Sequence, residues 1–376
     1  VNEPSTTIPL GGPARPAGPS PRPGLRDIVP YTVPRSEVAV RLDANESPYP
    51  PPPGFLGELA AEVRRLELNR YPDREAVALR SALAERAGRP TEGVWVANGS
   101  NEVIQQLLLA YGGPGRRALV FEPTYALHAD LARVTHTEVA RVSVRPPFVL
   151  ARGDLDAAVA SRPDVVFVCS PNNPTGQARP PGLVADLARR LPDALVVVDE
   201  AYIEFGGTSA LGLVDATPNV AIVRTFSKAF AMAGVRLGYC LAQGDVVDDL
   251  RRVRLPYHVS AFTQATGRVA LRWTRDASDA ILAIRRQRDR IVRELDLMAG
   301  VTVFASDANF VLFRPPASAP AVRAGLLGLG IGVRDVSAAV PGCLRVTAGT
   351  PSETEAFLHA LREVLVTATN EEEAIP

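Results

Sequence analysis

Short, nearly continuous apolar runs rich in β-branched side chains recur along the middle of the chain: Val94–Ala97, Ala118–Phe121, Val165–Cys169, Leu195–Val198 and Ala221–Arg224. Such runs suit parallel strands covered on both faces, since a strand with one solvated face alternates apolar and polar positions. Helical spacing fills the gaps. One helix follows the turn Asn98-Gly99-Ser100 and continues through Ala110; another spans Gly182–Arg190. The alternation predicts an α/β domain with a mostly parallel sheet between helices. Past residue 258 the pattern changes. A long charged stretch of helical spacing, Thr263–Ala299, leads to strands near Val301–Phe304 and Asn309–Phe313. A helix, a strand at Leu344–Thr347 and a last helix from about Glu353 follow. This reads as a smaller α+β domain. The expected organisation is a Pro- and Gly-rich arm over 1–30, a lid or small-domain segment over 31–50, a large domain over 51–258, the small domain over 259–369 and an acidic, frayed tail over 370–376.

Composition narrows the classes. The chain has 376 residues, 46% of them hydrophobic, enough for a large core. Its 41 basic and 41 acidic residues leave no positive excess to neutralise phosphates, which argues against nucleic acid. No apolar run approaches the ~20 residues of a membrane span, and the N-terminus lacks a basic-then-apolar leader. The three cysteines, Cys169, Cys240 and Cys343, are odd in number and far apart. They form no zinc spacing or disulfide framework and read as buried thiols of a cytoplasmic protein.

Ligands of open α/β sheets sit beyond the carboxyl ends of the strands, and the polar residues of interest fall there. Lys228 lies in "RTFSKAFAMAGVRLGY". Most lysines are surface charges, but a desolvated one keeps a neutral amine able to condense with an aldehyde. Asp199 ends "ALVVVDEAY". It is either a loop or helix-cap carboxylate, or one that holds a pyridinium nitrogen protonated, with Tyr202 near the same ring. Arg236, Ser227 and Thr225 could form a phosphate cup with Gly99, Ser100 and Asn101 at a helix N-terminus, although a Gly-Ser turn also serves as a plain cap. "SPNNPTG" (Ser170–Gly176) is a rigid turn whose Asn173 could donate to the ring's phenolic oxygen.

In this order, "SPNNPTG", "VVVDEAYIEF" and "RTFSKAFAMAGVRLGY" resemble the class I and II, fold-type I aminotransferases, over nearly the whole chain from about Val29. The resemblance implies pyridoxal 5′-phosphate as cofactor, bonded to Lys228. It matches Asp199 to the partner of the ring nitrogen, and Asn173 and Tyr202 to the groups on the phenolic oxygen. Ser100, Asn101, Thr225, Ser227 and Arg236 match the phosphate cup, and Tyr125 the stacking aromatic. Tyr71, in "LNRYPD", would reach the cofactor of a second subunit, which implies a homodimer with shared sites. "LDANESPYPPP" (Leu42–Pro52), "LNRYPD", "ANGSNEVIQQLL" (Ala97–Leu108) and "LPYHVSAFTQA" (Leu255–Ala265) are most similar to the histidinol-phosphate aminotransferase branch. That branch implies anion binding by Arg334 and Arg345 and a lid carrying Tyr31 and Asn45, with Tyr257 lining the pocket. Its substrates are an amino donor, L-histidinol phosphate, and a 2-oxo acid, 2-oxoglutarate. An aromatic amino-acid aminotransferase and a decarboxylase of a phosphorylated amino acid share these motifs and remain open; a ligand-sensing regulator would need a DNA-binding segment that residues 1–30 are too short and Pro-rich to supply. Ala231 and Met232 replace the Gly and Leu usual after the lysine, and read as packing changes.

Overall fold

A computed structural model describes residues 38–373, with Arg22, Gly24, Leu25 and Ile28 ahead of them. Its strands are β1 (Val40–Arg41), β2 (Val94–Ala97), β3 (Arg117–Glu122), β4 (Glu138–Ser143), β5 (Val165–Cys169), β6 (Leu195–Asp199), β7 (Val220–Thr225), β8 (Gly238–Leu241), β9 (Thr302–Val303), β10 (Phe310–Arg314), β11 (Ile331–Gly332), β12 (Arg334–Asp335) and β13 (Leu344–Thr347). The helices are α1 (Phe55–Val63), α2 (Val77–Ala87), α3 (Ser100–Tyr111), α4 (Leu127–Val134), α5 (Arg152–Ala160), α6 (Pro181–Arg190), α7 (Gly244–Val253), α8 (Ala261–Arg272), α9 (Thr274–Asp296), α10 (Ala319–Gly328) and α11 (Pro351–Glu373).

The central sheet has the order β2-β8-β7-β6-β5-β3-β4, with β8 antiparallel to both neighbours and the other pairings parallel. Strand parity explains the apolar runs. Leu119, Val166, Val168, Val196, Val198 and Ile222 enter one core, while Ala118, Val120, Phe167, Val197, Ala221 and Val223 enter another on the opposite face. Both faces are covered, so no polar alternation survives in the sequence.

A second, antiparallel sheet has the order β12-β13-β10-β9. The N-terminal segment is stitched to this C-terminal part. β1 pairs in parallel with β11, Leu42 donates its N–H to Gly332 O at 2.8 Å, and Thr347 N–H donates to Leu42 O at 2.8 Å.

Several features differ from the sequence expectation, among them β1, β11 and β12, strands of two residues each that leave no pattern. The stretch expected as one helix over Thr263–Ala299 is two, α8 and α9, broken at Trp273. Trp273 turns its indole onto α1, donating from Nε1 to Glu58 at 2.6 Å and filling the space beside Gly54, where a Cβ would lie 2.3 Å from the ring. That tertiary contact wins over continuous helical spacing. β8 was not anticipated, because "GYCL" is too short to stand out from a loop. Nor was β4, where Val142 alone is buried and the other five positions are exposed or half-buried, so that no apolar run shows. Among the described residues no helix is long and apolar enough to cross a membrane.

Candidate active site

The carboxyl ends of β2, β5, β6 and β7 share one edge of the sheet, and each delivers polar groups there. Because β8 runs the other way, its first residues lie at that same edge: Gly238 is opposite Ala97 of β2 and Thr225 of β7. The chain entering β8 therefore brings Arg236 to the ends of its parallel neighbours.

The anion cup is built from that meeting. Gly99 caps α3 at φ 81°. A Cβ there would lie 2.4 Å from Arg236 Nη2, so the guanidinium rests directly against the glycine backbone. Arg236 Nη1 donates to Ser227 Oγ at 3.2 Å, and Thr225 Oγ1 donates to Ser227 Oγ at 3.0 Å. The amide of Ser100 opens α3, whose N-terminus carries the positive end of the helix dipole. A guanidinium, two hydroxyls and a helix N-terminus in one place are a donor set for a phosphate.

Beside the cup, Asp199 is buried at the tip of β6. Its Oδ1 accepts from Ala201 N–H at 3.1 Å, and its Oδ2 lies 3.0 Å from His128 Nε2. His128 is fully buried, stacks on Phe167 at 4.7 Å between centroids, and meets Tyr125 edge-on at 5.5 Å. Its Nδ1 is buried with no acceptor, so the ring proton belongs on Nε2, facing the carboxylate. Tyr125 in turn donates its hydroxyl to Asn101 Oδ1 at 3.3 Å.

Lys228 is the chain's single lysine. Its Nζ donates to Ala44 O at 3.1 Å and lies 6.0 Å from the centre of the Tyr202 ring. Burial, helped by Arg345 and Arg236 and opposed by Glu46, pulls its pKa down to about 8. Burial pushes the Tyr202 phenol up to about 12 against Arg345 and Asn45, and Asn45 Nδ2 donates to its oxygen at 3.0 Å. The two amides of "SPNNPTG" divide their work. Asn172 is spent on structure, donating to Pro123 O at 2.9 Å and Thr175 Oγ1 at 2.8 Å; Asn173 accepts from Arg345 Nη1 at 2.7 Å.

Arg345 is buried on β13 and also donates to Asp43 O at 2.8 Å. Arg334 on β12 is its direct cross-strand partner, which puts both side chains on one face of the small sheet. Like charges directly opposite repel, and an anion lying across both arginines would relieve this. Tyr71 and Tyr257 form a pair of their own, stacked at 4.4 Å on an exposed surface. Tyr31 lies outside the described residues.

Backbone strain concentrates here. Asn45, Ala231, Arg236 and Tyr257 are among the eight described non-glycine residues at positive φ. Ala231, at φ 55°, is therefore more than a packing change: it occupies a left-handed position natural to glycine.

Sequence reasoning missed His128, although it stands three residues after Tyr125. A lone histidine on a short helix carries no signal until its partner strand is placed. The uniqueness of Lys228 was a sharper signal than its motif. The arrangement fits pyridoxal 5′-phosphate: the cup would hold its phosphate, Asp199 would face the ring nitrogen, Tyr202 and Asn173 the phenolic oxygen, and the half-buried Lys228 amine the aldehyde. Among the described residues no cluster of three or more His, Cys, Asp or Glu side chains could hold a metal ion.

Comparison with known proteins agrees. The family model for aminotransferase class I and II matches residues 37–361. The histidinol-phosphate aminotransferase of Frankia casuarinae is 48% identical over 359 residues, covering 92% of this chain and 90% of its own length. That of Thermobifida fusca is 49% identical over 360 residues, covering 93% and 95%. The crystal structure of histidinol-phosphate aminotransferase from Sinorhizobium meliloti in complex with pyridoxal-5′-phosphate superposes with a TM-score of 0.84 at 25% identity, covering 93% of this chain and 99% of that one. The chain belongs to the class I and II aminotransferases and, within them, to the histidinol-phosphate aminotransferase family.

Proposed function

We propose that this chain binds pyridoxal 5′-phosphate at Lys228 and moves an amino group between L-histidinol phosphate and 2-oxoglutarate, giving imidazole acetol phosphate and L-glutamate in histidine biosynthesis. The observation that carries the chemistry is the meeting of a lysine amine of lowered pKa, a buried carboxylate and an anion cup on adjacent strand ends. The relatives at 48–49% identity support the substrate.

The cofactor, when bound, supplies an aldehyde that bonds amines and an electron-poor ring that stabilises charge released at the substrate carbon. The chain's residues supply the rest. Lys228 Nζ, as a neutral amine, would take the proton from the amine-bearing carbon of the substrate and pass it to the carbon that was the cofactor's aldehyde, so that the amino group stays with the cofactor and the substrate leaves as a ketone. Asp199, oriented by His128, would hold a proton on the ring nitrogen. Asn173 and Tyr202 orient the phenolic oxygen, and Thr225, Ser227, Arg236 and the amide end of α3 hold the phosphate. Arg345 and Arg334 take the substrates' anionic ends, where planar, multidentate guanidiniums accept either a carboxylate or a phosphate.

The assembly we propose is a homodimer with shared sites. Leu68, Tyr71, Leu255, Tyr257 and Phe262 are large apolar or aromatic residues left exposed on two segments, which Tyr71 and Tyr257 bring together, and such exposure suits a protein interface. The setting is read as cytoplasmic, with which three buried free thiols are compatible.

The test is a half-reaction screen: the cofactor-loaded protein is mixed with L-histidinol phosphate, L-phenylalanine or L-glutamate, and loss of the visible band is followed. Loss with histidinol phosphate and with glutamate, and a higher kcat/KM for histidinol phosphate than for phenylalanine, is expected. A preference for phenylalanine would overturn the substrate. Release of CO₂ without need for a keto acid would overturn amino transfer.

A further inference from the structure

On the face of the central sheet opposite Asp199 lies a second polar cluster that the chemistry above does not use. Glu200 follows Asp199, and Arg224 precedes Thr225. By strand parity both point to the other face. Glu200 is 1% exposed. Its Oε2 accepts from Arg224 Nε at 3.0 Å and lies 2.9 Å from Arg224 Nη2; the same oxygen accepts from Ser209 Oγ at 2.9 Å, and Oε1 accepts from Ala210 N–H at 2.7 Å. Arg224 is directly opposite Tyr239 of β8. Burial works against its charge, yet Tyr239, Glu200 and Glu204 hold its pKa above the ordinary range.

Three strand ends meet at this guanidinium. The end of β6 carries Asp199, that of β7 leads to Thr225, Ser227 and Lys228, and the start of β8 follows Arg236. We propose that Glu200 and Arg224 are positioning residues, a clamp beneath the site that sets the ring-nitrogen partner, the lysine and the phosphate cup at fixed spacing. The inference rests on the functional reading above. It departs from a purely structural role for a specific reason: replacing a buried ion pair by apolar groups is often neutral for stability, so a pair kept only for stability should be dispensable, whereas a spacing device should not.

The experiment compares wild type, Glu200→Gln, Arg224→Lys and the double variant Glu200→Leu/Arg224→Met. Three quantities are measured: melting temperature without cofactor, dissociation constant for added pyridoxal 5′-phosphate, and pH midpoint of the bound cofactor's visible band. The single variants should bind cofactor about 10-fold more weakly, with a displaced band midpoint, a lower kcat and an unchanged KM for the amino donor, Arg224→Lys being the mildest. The double variant should regain the wild-type melting temperature while its cofactor affinity and band midpoint stay altered. Wild-type affinity and midpoint in the variants, or an affinity that recovers in step with melting temperature, would overturn the clamp and leave the functional reading intact. Failure of wild type itself to bind the cofactor would overturn that reading, and the clamp with it.

Discussion

At Lys228, burial decides the chemistry. A solvated lysine is almost wholly charged at neutral pH, and a charged amine cannot add to an aldehyde. With the pKa near 8, a usable fraction is neutral. Since no other side-chain amine exists in the chain, an amine-acylating reagent applied to the cofactor-free protein should label this residue with half-maximal rate near pH 8, read by mass spectrometry; a midpoint above 10 would contradict the enclosed amine. The sign of the linkage follows. The folded protein gives up this proton at lower pH than the unfolded chain, whose lysine keeps the ordinary value of 10.5. Below about pH 8 the folded state bears the full cost of the enclosed charge. Between about 8 and 10.5 the unfolded state binds more protons, so this group's contribution to stability rises with pH. Ala231 is the second residue-scale case. A left-handed conformation costs an L-residue ~1–2 kcal/mol, while glycine's greater freedom in the unfolded chain returns roughly 0.4–1 kcal/mol of that. Ala231→Gly should therefore raise stability by about 0.5–1 kcal/mol in denaturant titrations, and a loss of stability would mean that the methyl group packs usefully.

At the scale of elements, the antiparallel strand β8 matters most. Its first residue, Gly238, is wedged against the start of α3: a Cβ there would lie 2.2 Å from Ser100 N and 2.3 Å from Gly99 C. Both are backbone atoms, so a side chain could be admitted only by moving the helix N-terminus or the strand. Gly238→Ala should cost ~1–3 kcal/mol, the usual range for overpacking, and should weaken binding of pyridoxal 5′-phosphate more than tenfold by displacing the cup. Thermal melts and cofactor titration check both, and wild-type affinity would mean that the cup tolerates the shift. "GYCL" gave no warning of this strand, because four residues between a glycine and a loop do not make a period. The break at Trp273 was hidden for a different reason: the spacing of α8 continues into α9, and only the indole's contact with α1 interrupts it.

The scale of the whole molecule concerns pairing. If Tyr71 serves the neighbouring site, then Lys228→Ala and Tyr71→Ala homodimers are each impaired, yet a mixed dimer contains one site with both residues intact. Random re-association of equal amounts should recover about a quarter of wild-type activity, since half of the dimers are mixed and each has one good site of two. No recovery would show that Tyr71 acts within its own subunit or not at all. Tight association is expected to hide Leu68, Leu255 and Phe262, which hydrogen exchange on and around these segments would register on dilution.

The α/β class and the strands β2, β3, β5, β6 and β7 were legible because a sheet covered on both faces imposes continuous apolar runs. Lys228, Asp199 and Asn173 were legible because they stand at or just past the ends of such runs, and Arg236 because it belongs to the same ordered set of motifs. What the chain's linear pattern could not express is adjacency between distant segments. The hydrogen bond from His128 to Asp199, the rest of Arg236 against Gly99, the opposition of Arg334 and Arg345, and the joining of Glu200 to Arg224 and Tyr239 all arise from strand order, the reversal of β8 and alternation between faces. Local propensity depends on a few neighbouring residues, whereas these contacts depend on which strands lie side by side, and that is decided when the two cores form.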